Sequence, residues 1–157
     1  MGGSVANSDP AADYPAAVVA LDSTILTTER EIAGQDFFQD LFTTRLNEGE
    51  LITAIRYSIP TRAAYQKFPN PASRYAVAGV LVAEFSDGVR VGVTGAGPCA
   101  FRHAEMEAAL SADLRESALD GIVVDYDHFN SDLHASAEYR GQLVAVMARR
   151  AVRALLA

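Results

Sequence analysis

An α+β fold is predicted, with a small antiparallel sheet packed against helices, on three observations. Strand-like stretches come first and helical ones afterwards, which disfavours a wound parallel sheet. An Asp87-Gly88 pair stands between two apolar runs, a strong hairpin signal. The C-terminal stretch from Ala135 to Leu156 carries Tyr139, Leu143, Val146, Met147 and Leu155 at helical spacing.

Taken in order, the first dozen residues are small and polar and carry no core of their own. Residues 11–21 predict an alanine-rich helix, with Asp9-Pro10 as cap and first turn. Residues 22–33 alternate and are rich in β-branched side chains, predicting a strand or small hairpin. Residues 36–41 predict one or two helical turns with an aromatic face. Residues 50–59 alternate again and stop at Pro60, which has no N–H to continue a ladder. A boundary between two lobes is placed there, giving units 1–58 and 59–157. Beyond it lie a short strand at 63–68, a Pro/Asn/Ser loop, a long buried strand at 75–86 and its hairpin partner. Helices are predicted at 102–110, 112–123 and 135–156, the last capped by Ser131 or Asp132.

The 157 residues suffice for one domain of ordinary size or two small lobes. Half are apolar and a fifth charged, as in a globular protein. A net charge of −7 without a basic block argues against nucleic acid or an anionic membrane surface as partner. No apolar run approaches the roughly 20 residues of a spanning helix, and no signal peptide is visible, so the expected compartment is the cytoplasm. The single cysteine, Cys99, excludes an intrachain disulfide and any all-cysteine cluster within the chain. Lys67 is the only lysine beside twelve arginines.

By local motif alone, no catalytic constellation stands out. His103, His128 and His134 have no metal-ligand spacing. No serine sits in a nucleophile elbow, and the glycines of VGVTGAGP lack the βαβ setting of a dinucleotide fingerprint. Cys99 reads as buried structure. No catalytic residue and no metal ligand are assigned.

The order of segments is more telling. Gly2-Gly3-Ser4 followed by Asp13, then DFFQDLF, EGELITAIRYSIP, YQKFPNPASRYAVAGVLVAEF and SDLHASAEYRGQLVAVMARRAVRAL run through nearly the whole chain. This series resembles the flavin-binding medium subunit of the molybdenum hydroxylases, the family of aerobic carbon monoxide dehydrogenase and xanthine dehydrogenase. The resemblance implies an FAD-dependent oxidoreductase subunit, active only in a complex. Electrons would pass from the 2Fe–2S clusters of a small subunit, and before them from a large molybdenum-cofactor subunit, through FAD to an external acceptor. It also implies site residues. Gly2 and Gly3 would let main chain approach the cofactor where a Cβ would clash, and Ser4 would offer a hydroxyl. Asp13 would accept hydrogen bonds from cofactor hydroxyls or N–H groups. Ile52 would pack on the flavin, Lys67 would bring positive charge near the ring, and Tyr75 would stack on it or shield it. Family members carry a further flavin-binding lobe before the paired glycines, whereas this sequence opens at Met1. The resemblance therefore implies that 1–58 is the end of the second FAD lobe and 59–157 the C-terminal lobe. It further implies half of a cofactor site in this chain, a separate chain supplying the first lobe, or a flavin-free docking module derived from such a subunit.

Overall fold

A computed structural model describes residues 1–157. Its strands form three antiparallel groups, of three, two and four strands, the two-stranded one lying in sequence between members of the first. Helix α1, Gly2–Asn7, opens the chain and ends at Ser8, whose φ of 50° is left-handed. The expectation of a coreless front is overturned at this point. Val5 is fully buried, in one cluster with Val18, Val19, Ile25, Phe37 and Phe38, because one apolar side chain per turn gives a short helix a face to bury. Asp9 makes a local turn, accepting the Ala11 N–H at 2.9 Å, and is not a helix cap. Helix α2, Tyr14–Ala20, starts later, behind Asp13 and with Pro15 in its first turn.

Strands β1 (Thr24–Thr27) and β2 (Glu31–Ala33) form the expected hairpin. The predicted helical turns at 36–41 prove to be one 3-10 turn, Gly34–Asp36, and strand β3, Phe38–Asp40, which pairs with β4, Thr43–Thr44. Six residues are too few to separate a period of 3.6 from a period of 2. The aromatic face is real all the same: Phe37 and Phe38 are buried edge to face, 5.2 Å between centroids. Strand β5, Ile52–Arg56, pairs with the other side of β1 and places Ile55 opposite Ile25.

Just before β5, Glu50 has a buried side chain that accepts from Arg30, from the Thr27 hydroxyl and from the Asn47 N–H. Arg30 foremost, then these neighbours, hold its carboxyl down at about 2 against an ordinary 4.5. A depressed folded-state value stabilises the protein above the unfolded value, and that stability is lost as pH falls through the folded one. Between pH 4.5 and about 2, the urea midpoint of the native protein is therefore expected to fall more steeply than that of Glu50→Gln. Equal slopes would remove Glu50 from the acid transition.

The second half is a four-stranded sheet in the order β6-β7-β8-β9, with β6 Arg62–Pro69, β7 Ala76–Phe85, β8 Gly88–Thr94 and β9 Phe101–Arg102. The Asp87-Gly88 hairpin is present, with Gly88 at φ 142°. Residues 76–83 of β7 are all buried, because both faces of the strand are covered. Ala78, Val80 and Val82 face helices α3 (Ala104–Ala112) and α4 (Ala137–Leu156). Leu81 and Ala83 alternate to the opposite face, where Ala16 and Ala20 of α2 pack.

Two helix predictions are corrected. The stretch 112–123 holds a single 3-10 turn, Glu116–Leu119, and Gly121 follows at φ 83°. Asp113, Ser117 and Gly121 all favour turns over helix interior. Helix α4 is capped by Ser136, whose Oγ accepts the Tyr139 N–H, and neither Ser131 nor Asp132 is that cap. Asp132 accepts from the His134 and Ala135 N–H groups and pairs with Arg140. Leu143, Met147 and Leu155 enter the core, whereas Tyr139 and Val146 face outward. No helix is long and apolar enough to cross a membrane.

Candidate functional site

On the α2 face of the four-stranded sheet, β6 presents Tyr65 and Lys67, two positions apart and so on one side of the strand. Their cross-strand partners on β7 are Leu81 and Gly79. Gly79 leaves the room that Tyr65 fills, since a Cβ there would stand 2.4 Å from the phenol oxygen. Both side chains converge on Asp13 at the start of α2. The Tyr65 hydroxyl donates to Oδ1 at 2.6 Å, and the Lys67 ammonium donates to Oδ2 at 2.7 Å. Burial first, then the Asp13 carboxylate, push the Tyr65 phenol well above the ordinary tyrosine range, so it stays a donor at neutral pH.

Lys67 has a second acceptor, the Arg74 carbonyl at 2.9 Å. The loop that carries it is built by Asn70. The Asn70 side-chain oxygen accepts the Ala72 and Ser73 N–H groups, its own N–H donates to the Tyr75 carbonyl, and its carbonyl accepts the Arg74 N–H. Arg74 takes a left-handed φ of 66°, a conformation that costs a side-chain-bearing residue some energy. The turn aims its carbonyl at Lys67 and leaves Tyr75 beside it.

These groups border an open cleft of about 460 Å³. Ser4 of α1, Asp13, Lys67 and Tyr75, all singled out in the sequence, line it together. Ala12, Tyr14, Ser73 and Arg74 complete the wall and were not singled out; nor was Tyr65, although alternation from Lys67 along β6 would have found it. Gly2 and Ile52 lie elsewhere, in a separate hollow of about 210 Å³ between α1 and β5. Ile52 also packs against the Val5 cluster. A Cβ on Gly2 would meet Ile52 at an ordinary 3.8 Å, and one on Gly3 would meet nothing within 4 Å. Within this chain, then, neither glycine is demanded by crowding.

Away from the cleft, the reactive side chains have structural places. His103 caps α3 through Nδ1, and burial holds its imidazole below the ordinary value. Cys99 is half-buried, and burial pushes its thiol up, which keeps it protonated and a poor nucleophile. No group of three His, Cys, Asp or Glu side chains converges to hold a metal ion.

Comparison with known proteins bears on the same residues. Residues 1–62 match the family described as the FAD binding domain in molybdopterin dehydrogenase. The glyceraldehyde dehydrogenase medium chain of Sulfolobus acidocaldarius is 30% identical over 98% of this chain and 60% of its own length. The carbon monoxide dehydrogenase medium chain of Afipia carboxidovorans is 32% identical over 97% of this chain and 58% of its own. Residues 1–62 belong to that FAD-binding family, and the homologues of the chain are medium subunits of molybdenum hydroxylases. The fold of the chain agrees with that of a medium subunit: the CO dehydrogenase of Oligotropha carboxidovorans superposes with a TM-score of 0.86 at 30% identity, covering 98% of this chain and 59% of the other. The chain thus spans about three fifths of the length of these relatives. Ser4, Asp13 and Ile52 fall inside the matched FAD-binding segment, whereas Lys67 and Tyr75 lie beyond it.

Proposed function

We propose that this chain is part of an electron-transferring flavin subunit and that its cleft holds one part of FAD. The observation that carries the reading is the convergence of Ser4, Asp13, Lys67 and Tyr75, far apart in sequence, on a single cleft. The lining suits such a group. Two half-exposed tyrosines, Tyr14 and Tyr75, offer aromatic surface for a planar ring. The Asp13 carboxylate has two donors in this chain, and its remaining lone pairs are free to accept from a cofactor hydroxyl or N–H. The Lys67 ammonium counters negative charge that accumulates in the cleft. When bound, FAD supplies the exchange of electrons between a donor and an acceptor of different kinds. Gly2 and Ile52 contribute through the separate hollow between α1 and β5, and Gly3 follows Gly2 on α1.

In this reading residues 1–58 belong to the FAD-binding domain and residues 59–157 form the C-terminal domain. The partners are a small 2Fe–2S subunit and a large molybdenum-cofactor subunit in the cytoplasm, with substrate chosen by the large subunit.

The test is flavin uptake and potential. The chain assembled with its partner subunits is expected to take up FAD, and Lys67→Ala in that assembly should shift the flavin reduction potential downward. An unchanged potential removes Lys67 from the role. A colourless assembly that takes up no added FAD overturns the reading and leaves the flavin-free docking module.

A further inference from the structure

The Asp13 carboxylate does not do what its place on the chain favours. An aspartate immediately before a helix commonly turns back to accept an N–H from the second or third helical residue. Asp13 holds that place ahead of α2, but its backbone is helical, φ −79° and ψ −39°, where a capping residue is extended, and it makes no such bond. Pro15 removes one of the two candidate donors, and the Ala16 N–H is the other. Both carboxylate oxygens reach across to β6 instead, one to Tyr65 and one to Lys67.

The two donors differ in what they can enforce. Lys67 has a long flexible stem and a second acceptor in the Arg74 carbonyl. Its ion pair is partly exposed, with about half of the Asp13 side chain open to solvent, and such pairs contribute little by themselves. The ion pair alone therefore leaves the Asp13 side chain free to turn into solvent. Tyr65 is held far more tightly. Its ring lies across Gly79, where a Cβ would stand 2.4 Å from the hydroxyl oxygen and 3.0 Å from the ring carbon bearing it. The hydroxyl is thereby left at 2.6 Å from Oδ1 of Asp13.

We propose that Tyr65 is a positioning residue that fixes the Asp13 carboxylate against β6, so that it steers and neutralises the Lys67 ammonium at the cleft. The geometry stands on this chain alone, and the consequence for a cofactor rests on the flavin reading. Without the phenol hydroxyl, the half-exposed Asp13 side chain turns into solvent and the ammonium faces the cleft with its charge less compensated. The effect on a flavin is then opposite in sign to loss of the lysine: Lys67→Ala lowers the potential, whereas Tyr65→Phe raises it. General loosening of the site would weaken binding without that signed pair of shifts.

Because Lys67 is the only lysine, its ammonium gives a single side-chain signal in nitrogen-15 NMR. Hydrogen exchange of that ammonium on the flavin-free 157-residue chain is the direct test. Tyr65→Phe is expected to speed exchange by about fivefold, the factor that an exposed ion pair is able to confer. Gly79→Ala should do the same by displacing the far end of the tyrosine, with circular dichroism confirming that each variant is folded. Unchanged exchange in both variants overturns the proposal. In the FAD-loaded assembly, a raised potential in Tyr65→Phe supports it, and one unchanged or lowered while Lys67→Ala shifts downward counts against it. If Lys67→Ala leaves the potential unmoved, the flavin reading of the lysine fails, and ammonium exchange still decides the role of Tyr65.

Discussion

Replacing Arg140 with leucine is expected to lower the unfolding free energy by roughly 3–5 kcal/mol, the largest effect of any single side chain considered. Arg140 is only 5% exposed although it carries a full charge. Nη1 of its guanidinium donates to the Val77 carbonyl at 2.7 Å and the Gly95 carbonyl at 2.8 Å, Nη2 donates to Asp132 at 2.8 Å, and Nε is buried without a partner. It therefore ties α4 to the start of β7 and the end of β8, and also to the loop that leads into α4. Leucine fills part of the volume but leaves two main-chain acceptors without a donor, each costing about 1–3 kcal/mol. Asp132 is half-exposed and returns to water cheaply, so the main-chain carbonyls carry most of the loss. Lysine should recover less than half, because one ammonium on a flexible stem does not reproduce the planar fork. Urea unfolding followed by circular dichroism measures this, and a loss below about 1 kcal/mol would show that water satisfies the carbonyls.

Gly92→Ala is expected to cost about 3 kcal/mol and to lower the melting temperature by roughly 6–10 °C. A Cβ at Gly92 would lie 2.4 Å from the Ala16 carbonyl oxygen and 2.9 Å from the Ala20 Cβ. Two of these neighbours are main chain or rigid methyl, so relief requires α2 as a whole to rise off the sheet. Because Asp13 stands at the start of α2, the same displacement pulls the carboxylate away from Lys67 and Tyr65. Flavin uptake should therefore fall together with stability. Calorimetry that finds the melting temperature unchanged would mean that α2 reseats without strain.

Legibility in the sequence followed the length of each pattern. The β7–β8 hairpin and α4 were readable because an Asp-Gly pair between two apolar runs has few alternatives to a tight turn, and because twenty helically periodic residues leave little ambiguity. The segments at 36–41 and 112–123 were misread because short runs suit either period, and tertiary contacts then decide. Phe37 and Phe38 joined the Val5 cluster as a turn and strand, and Leu119 reached the core from a single 3-10 turn. Helix α1 was missed because its burial depends on Val5 alone, which no periodicity test on six residues detects.

The cleft divides in a similar way. Ser4, Asp13, Lys67 and Tyr75 stood out through an ordered resemblance along the chain, and the fold brings these four to one place. Gly2 and Ile52 belonged to the same series yet line a different hollow, since order along a chain does not encode which surface a residue faces. Tyr65 escaped notice because nothing in YQKF marks its hydroxyl. Only the register of β6 on β7, with Gly79 beneath the ring, sends that hydroxyl to Asp13.

What the amino-acid sequence determined by itself was the α+β class, the acidic balance, the hairpin, the terminal helix and the family, all properties of local pattern or of order along the chain. What only the tertiary structure decided was where each side chain points and what it meets. By its place in the sequence alone, Asp13 reads as a cap for α2. It reaches across to Lys67 and Tyr65 because α2 packs on the sheet through Gly92, and because Gly79 leaves room for a phenol whose hydrogen bond a half-exposed ion pair could not replace.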